Sequence, residues 1–340
     1  MSSARRIVLA SRPHGEPKTS DFRIEDCAIP TPGDGQVLLR TIWMSLDPYM
    51  RGRMSDGPSY ATPVPVGGTM EGGTVSEVIA SNSADFAKGD IVLSHAGWQT
   101  HAVADAKMLR KIDPGLGPVQ TAVGVLGMPG MTAYTGLLDI GQPKPDETVV
   151  VAAASGAVGS AVGQIAMIKG ARAVGIAGGK DKCDYVKNEL GFADCIDHRD
   201  PDFAAKLKAA CPKGIDVYFE NVGGAVFEAV FPLLNAFARI PVCGLIAQYN
   251  DTADSSPPWA GKMLRTILTK RLNIRGFIVS DFASRRGDFL RDMSQWVRDG
   301  KVKHRECITE GLENAPEAFI GLLKGANFGK QLVRVGPDHI

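Results

Sequence analysis

Thr148-Val149-Val150-Val151-Ala152-Ala153-Ala154-Ser155-Gly156-Ala157-Val158-Gly159 is the stretch that decides the fold. The apolar run over residues 148–154 reads as a strand buried on both faces. It passes directly into a small-residue turn and then a helical segment over 158–169. The turn has the form A-x-G-x-x-G, with Ala154 in the first glycine position. Gly156 lets the backbone approach a pyrophosphate, with Ala157 and Val158 following, and Gly159 lets the helix pack close to the strand. The N–H groups of that helix end, with its positive dipole end, suit an anion. A ligand-free tight turn has similar glycines, so the strand–turn–helix setting gives the pattern its weight.

Working outward, the alternation continues. Strands are predicted over 148–154, 171–177, 195–197, 215–220, 239–244 and 274–279, with helices over 158–169, 182–190, 203–210, 225–234 and 263–270. Apolar strands separated by amphipathic helices imply a parallel sheet covered on both faces, and six of them fit a Rossmann domain. A further helix is predicted over 281–298. Before Gly127 the character differs. Short β-rich runs over 36–42, 72–79, 90–93 and 101–103 alternate with turns such as Pro30-Thr31-Pro32-Gly33-Asp34-Gly35, as in a compact barrel-like β domain. The tail from Lys301 ends in a strand over 331–335 that returns to the first domain. The expected domains are therefore 1–126 with 305–340, and 127–304.

Composition bounds the function. The 340 residues are 44% hydrophobic and 22% charged, with 38 basic against 37 acidic side chains and a formal charge of +1. Nothing in that balance asks for nucleic acid or an anionic membrane. The N-terminal apolar run over 7–10 is too short for a signal-peptide core, and no stretch approaches a membrane span. The six cysteines fall in no short metal-ligand spacing and suit free thiols in a reducing compartment. A cytoplasmic location is expected.

The end of the second predicted strand selects the cofactor. NAD enzymes place Asp or Glu there for the ribose 2′-hydroxyl. Here the segment is Ile176-Ala177-Gly178-Gly179-Lys180-Asp181-Lys182, with glycines for the acid and two lysines beyond. Cations at a helix start oppose its dipole and ask for a compensating anion, so the segment points to the 2′-phosphate of NADPH. The plainer reading is two solvated lysines.

With these residues placed, the chain resembles the medium-chain dehydrogenase/reductase superfamily. Within it, the resemblance is to the zinc-independent leukotriene B4 12-hydroxydehydrogenase / prostaglandin reductase and 2-alkenal (double-bond) reductase group. It spans essentially the whole chain and rests on Ser45-Leu46-Asp47-Pro48-Tyr49-Met50-Arg51, Gly127-Met128-Pro129-Gly130-Met131-Thr132-Ala133-Tyr134 and Gly156-Ala157-Val158-Gly159-Ser160. Further matches are Glu220-Asn221-Val222-Gly223-Gly224, Cys243-Gly244-Leu245-Ile246-Ala247-Gln248-Tyr249-Asn250 and Leu323-Lys324-Gly325-Ala326-Asn327-Phe328-Gly329-Lys330. The resemblance implies a GroES-like β-barrel beside the Rossmann domain, NADPH as cofactor and a homodimer formed through the last Rossmann strands, around 274–279. It implies that Gly156, Ala157, Val158 and Gly159 cradle the pyrophosphate and that Lys182 meets the 2′-phosphate. Asn221, Cys243, Gly244, Leu245, Ile246, Ala247, Gln248, Tyr249, Phe277, Ile278, Val279 and Asn327 would hold the rest. Where the family usually has a tyrosine near that phosphate, this chain has His198, with Arg199 adjacent; a phosphate contact and a solvated strand-end histidine both fit.

Zinc members of the superfamily carry a Gly-His-Glu segment. The corresponding stretch here, Gly67-Gly68-Thr69-Met70-Glu71-Gly72-Gly73, lacks the histidine, and the four-cysteine lobe is missing; no metal site is expected. Without a Lewis acid, hydride exchange at a carbonyl carbon is poorly supported. Hydride addition to the β-carbon of an enone gives a delocalised enolate, which hydrogen-bond donors can stabilise. The resemblance implies that Tyr49 and Tyr249 lie near the substrate carbonyl as catalytic residues. Tyr249 is also a candidate to deliver the α-carbon proton, directly or through solvent. The expected substrate is a small α,β-unsaturated aldehyde or ketone. Alternatives are quinone reduction, the reverse oxidation of a 12-hydroxy-eicosanoid, and an NADPH-binding protein without catalysis. Asp47 and Arg51, four apart, read as a helical ion pair. Met50, Met54, Met131, Tyr134 and Trp259 are pocket walls or core, and the loops over 52–65 and 250–261 shape the pocket.

Overall fold

The computed structural model describes residues 3–57, 59–251 and 260–338. It separates into one unit of Met1–Gly124 with Glu306–Ile340 and a second of Val125–Arg305. Trp259 and most of the 250–261 loop lie outside the described residues.

The first unit opens with β1 (Ser3–Leu9) and β2 (Phe22–Ala28), an antiparallel pair. Then come β3 (Gln36–Ser45), β4 (Thr74–Ser81), β5 (Ile91–Ser94), β6 (His101–Asp105) and β7 (Arg110–Lys111). The second unit supplies β8 (Thr148–Ala152), β9 (Arg172–Ala177), β10 (Asp194–Asp197), β11 (Ile215–Phe219), β12 (Leu234–Val242) and β13 (Asn273–Gly276). The chain then returns to the first unit as β14 (Glu306–Glu310) and β15 (Lys330–Arg334). β15 lies antiparallel to β3, with Leu332 opposite Ser45 and Arg334 opposite Trp43, so the returning tail strand is present as expected.

The first unit's mostly antiparallel sheet runs β14-β15-β3-β4-β5-β7, with β6 also on β3. Its core is aromatic. Trp98, fully buried, stacks on Phe22 at 5.5 Å, and Phe319 meets both rings edge-on. Met50 and Met54 are fully buried in that cluster, so they are core rather than pocket wall.

The second unit is the expected six-stranded parallel sheet, in the order β10-β9-β8-β11-β12-β13. That is the doubly wound 3-2-1-4-5-6 order, whose switch point lies between β8 and β11. Val149, Val150 and Val151 are fully buried, as an interior parallel strand requires. Two boundaries differ from the sequence reading. The helix expected over 225–234 ends earlier, as Gly224–Val230 with a further turn over Phe231–Leu233, and β12 begins at Leu234 rather than Arg239. The reason is a bulge: Phe237 has φ +64°, and the register between β11 and β12 shifts there. β13 ends at Gly276, and Val279–Arg285 is a 3-10 segment before the Arg286–Arg298 helix. Among the described residues, no helix is long and apolar enough to cross a membrane.

Candidate active site

At the carboxyl end of β8 the chain turns sharply. Ala153 adopts φ +53°, and the Gly156 N–H donates back to the Ala153 carbonyl at 2.9 Å. The Gly159–Ile168 helix starts so close beneath that a Cβ on Gly159 would lie 2.3 Å from the Ala153 oxygen and 2.8 Å from its carbonyl carbon. Both are backbone atoms that cannot step aside, so the position requires glycine. Gly156, Ala157 and Val158 are half-buried while Ala154, Ser155 and Gly159 are buried. The result is a short ledge of main chain at a helix N-terminus beside the switch point, the geometry in which backbone N–H groups receive a pyrophosphate.

The carboxyl ends of β9 and β10 assemble a cationic corner. A Cβ on Gly178 would lie 2.8 Å from His198 Nε2 and 3.1 Å from Arg199 Nε. The place where an NAD enzyme carries its acid is therefore bare and faced by basic side chains. Asp197 holds the corner: its Oδ1 accepts from the N–H groups of Gly179 and Arg199, each at 2.9 Å. Partial burial holds the His198 pKa below its ordinary value, and the charges of Arg199 and Lys182 lower it further. That ranks Lys182 among the groups acting on His198. The Lys180 ammonium is turned to Asp184 and solvent instead.

At the ends of β11 and β12, two loops are laced together by Glu220, which is 1% exposed. Its Oε1 accepts from the N–H groups of Val222 and Gly223 at 2.6 and 2.8 Å, and its carbonyl from those of Cys243 and Gly244 at 2.9 and 3.2 Å. Asn221 Nδ2 donates to the Ala152 carbonyl at 2.8 Å, tying the same turn to β8. Ile246 and Ala247 donate to the carbonyls of Asn221 and Val222, and Ile246–Gln248 forms a 3-10 turn capped by Tyr249. The Tyr249 ring folds back over its own loop, with Oη 3.4 Å from the Leu245 nitrogen. Burial, with the Glu220 charge, pushes the Cys243 thiol up to about 12, so it stays protonated and is no nucleophile at neutral pH. The second unit thus gathers the glycine turn, the cationic corner and residues 243–249 at the carboxyl ends of one sheet.

Other expected positions fall differently. Phe277 is buried against Phe219 and Phe282, so its ring belongs to the core, while Ile278 and Val279 are half-buried beyond β13. Met131 is buried, and buried Tyr134 donates to Asp292 at 2.7 Å; both are core in this unit. In the first unit, Asn327 caps its own turn by donating to the Gly329 carbonyl at 2.7 Å. Tyr49 is half-buried and precedes the one-turn helix Met50–Arg53. Burial raises the Tyr49 pKa well above the phenolic range, and the charges of Asp47 and Glu71 add to that, so it is a hydrogen-bond donor rather than a phenolate.

The expected Asp47–Arg51 pair is replaced. Arg51 donates to Ser55 Oγ and to the Gly15 carbonyl, each at 2.8 Å, while Asp47 takes Lys330 at 3.1 Å and the Ser45 hydroxyl. Lys330 stands in a motif quoted for the resemblance, yet nothing local in sequence signals a partner so distant along the chain. Glu71, in the segment that lacks the zinc-binding histidine, pairs with Arg53. Among the described residues, no three His, Cys, Asp or Glu side chains group as a metal site.

Residues 5–112 match the family model for the N-terminal domain of oxidoreductase, and residues 157–298 match that for zinc-binding dehydrogenase. The chain is 56% identical to the NADPH-dependent curcumin reductase of Escherichia coli (strain K12), covering 98% of this chain and 97% of the relative. The chain belongs to the medium-chain dehydrogenase/reductases. Within that superfamily its group is that of the prostaglandin, curcumin and 2-alkenal reductases: it is 41% identical to prostaglandin reductase 1 of Bos taurus over 98% of this chain and 100% of that one. The crystal structure of CurA from Vibrio vulnificus in complex with NADPH aligns with a TM-score of 0.95 at 53% identity, covering 98% of this chain and 100% of that one. A medium-chain reductase with a Rossmann unit and a GroES-like unit is thus the architecture, as the sequence implied.

Proposed function

We propose that this reductase uses NADPH to reduce the carbon–carbon double bond of small α,β-unsaturated aldehydes and ketones. The observation that carries the cofactor choice is the cationic corner, in which His198 and Arg199 face the bare Gly178 and the Lys182 charge acts on His198. The relatives, named as NADPH-dependent curcumin reductase and as 2-alkenal reductase, support the substrate class. In this reading the Gly156–Gly159 turn receives the pyrophosphate and the cationic corner the 2′-phosphate. Residues 243–249 and 277–279, with Asn221 and Asn327, orient the remainder. Bound NADPH supplies a hydride to the β-carbon of the substrate. The electron pair of the double bond moves onto the carbonyl as an enolate. The hydroxyls of Tyr249 and Tyr49 donate to that oxygen as charge builds, and a proton passed by Tyr249 or solvent completes the bond at the α-carbon. Burial and the carboxylates around it hold the Tyr49 pKa high, so its hydroxyl keeps the proton it donates.

An NADPH-oxidation screen over enals, enones, phenylbutenones and quinones tests this. Enones are expected to turn over and quinones to lag; turnover of quinones alone would overturn the proposal. Tyr249→Phe is expected to lower kcat for 4-phenyl-3-buten-2-one on the order of tenfold, with the load shared by Tyr49, and to leave the NADPH KM nearly unchanged. Full kcat in both Tyr249→Phe and Tyr49→Phe would assign the donation to the cofactor ribose, a backbone amide or water.

We also propose that the chain works as a homodimer. Among the described residues the edge strand β13 pairs only with β12, and the helix Ala260–Lys270 exposes Leu264 and Leu268 at 63% and 76%. An open strand edge beside exposed apolar side chains is a surface that a second copy can cover. Sedimentation equilibrium at micromolar concentration should give twice the 36.1 kDa chain mass; a monomer there would refute it.

A further inference from the structure

The side chain of Arg53 is 7% exposed and paired with Glu71, which is 39% exposed. It also donates to Ser59 Oγ at 3.2 Å. Its guanidinium carbon lies 5.3 Å from the centre of the Tyr49 ring and 4.5 Å from that of Tyr60, so the cation is held by two aromatic rings. Both distances are within the range of cation–π attraction. Tyr49 precedes and Arg53 ends the one-turn helix, a spacing of four that puts both on one helical face. We propose that Arg53 is a positioning residue for Tyr49, fixing the orientation of its ring and opposing the carboxylates around its hydroxyl. The inference rests on the reading of Tyr49 as a donor to the substrate oxygen.

The charges explain why such a residue is needed. Asp47 and Glu71 both disfavour charge on the Tyr49 oxygen, and Arg53 is the group that acts in the opposite sense. A phenol that donates to a growing enolate gains partial negative charge, which unopposed carboxylates would penalise. Arg53 neutralises Glu71 by direct pairing and presents its own charge to the ring. A planar guanidinium also limits how the ring can turn, which a flexible ammonium does poorly. The main chain of Arg53 serves separately: its carbonyl accepts from the Val64 N–H at 2.8 Å and closes the loop. That bond survives a side-chain substitution, so the side chain can be tested apart from the loop.

The test is a double-mutant cycle on the full enzyme, with Arg53→Met and Tyr49→Phe singly and together, read as kcat and NADPH KM with 4-phenyl-3-buten-2-one. Arg53→Met is expected to lower kcat about three- to tenfold with NADPH KM within about twofold of the parent, and to add no further loss in the Tyr49→Phe background. A merely structural role would lower kcat by the same factor in both backgrounds, and that result overturns the proposal. An Arg53→Met enzyme with parental kcat overturns it too. Should Tyr49→Phe itself keep full kcat, the reading of Tyr49 fails first and this role goes with it, which the single variant shows by itself. Arg53→Lys, which keeps the charge for Glu71 without the planar face, is carried through the same cycle. Its loss must show the same dependence on Tyr49, so poor folding of Arg53→Met leaves the question decidable.

Discussion

Lys330→Met is expected to destabilise the protein by about 3–5 kcal/mol, the usual cost of removing one partner from a buried ion pair. The Lys330 side chain is 5% exposed, and its ammonium donates to the Leu46 carbonyl at 2.6 Å, the Gln331 carbonyl at 3.0 Å and Asp47 Oδ1 at 3.1 Å. Three donors thus meet three acceptors. Burial holds its pKa below the usual lysine value, and the Asp47 carboxylate works in the opposite direction. Methionine fills the space but leaves the buried Asp47 carboxylate with the Ser45 hydroxyl and takes the ammonium donor from the Leu46 and Gln331 carbonyls, the latter keeping the Leu46 N–H at 3.2 Å. The measurement is urea denaturation, where the midpoint should fall at an unchanged slope. Adding Asp47→Leu should restore much of the loss, because the stranded charge causes most of it. A midpoint shift worth less than about 1 kcal/mol would show that Asp47 finds another partner or a proton.

The second large effect is expected at Lys182. Lys182→Ala should raise the NADPH KM about ten- to a hundredfold, the value of a charge-assisted phosphate contact at about 1.5–3 kcal/mol, and leave the NADH KM almost where it was. The asymmetry carries the argument, because only NADPH brings a phosphate to the corner of His198 and Arg199. His198 is held below its ordinary pKa by burial and by the charges of Arg199 and Lys182. Equal losses with both cofactors in steady-state kinetics would make Lys182 structural.

Much of this was legible in the sequence because the signals are local. The β8–turn–helix unit is fixed by Gly159, where a Cβ meets backbone at 2.3 Å, and the missing acid at Gly178 is visible as a letter. What could not be read depends on distance or on backbone detail. Asp47 was assigned to Arg51 because the spacing of four is visible, whereas Lys330 is brought to it only when β15 pairs with β3. The start of β12 was missed because the bulge at Phe237 breaks the apolar pattern. The resemblance implies a cofactor contact at Phe277, yet its ring is needed to fill the space over Phe219. Arg53 carries no motif of its own; its place under Tyr49 and Tyr60 emerges from the turn of the chain after Pro48.

The return of β14 and β15 to the first unit has a consequence for synthesis on the ribosome. The second unit is one continuous stretch, Val125–Arg305, and all its parallel strands are synthesised before β14. The first unit, although begun first, stays unfinished through that interval, with the β3 edge from Trp43 to Ser45 waiting for Leu332 to Arg334. An apolar edge left open this long invites pairing with other nascent chains. Interrupting translation after Arg305 but before Lys330 therefore releases a chain with a foldable second unit and an adhesive first one.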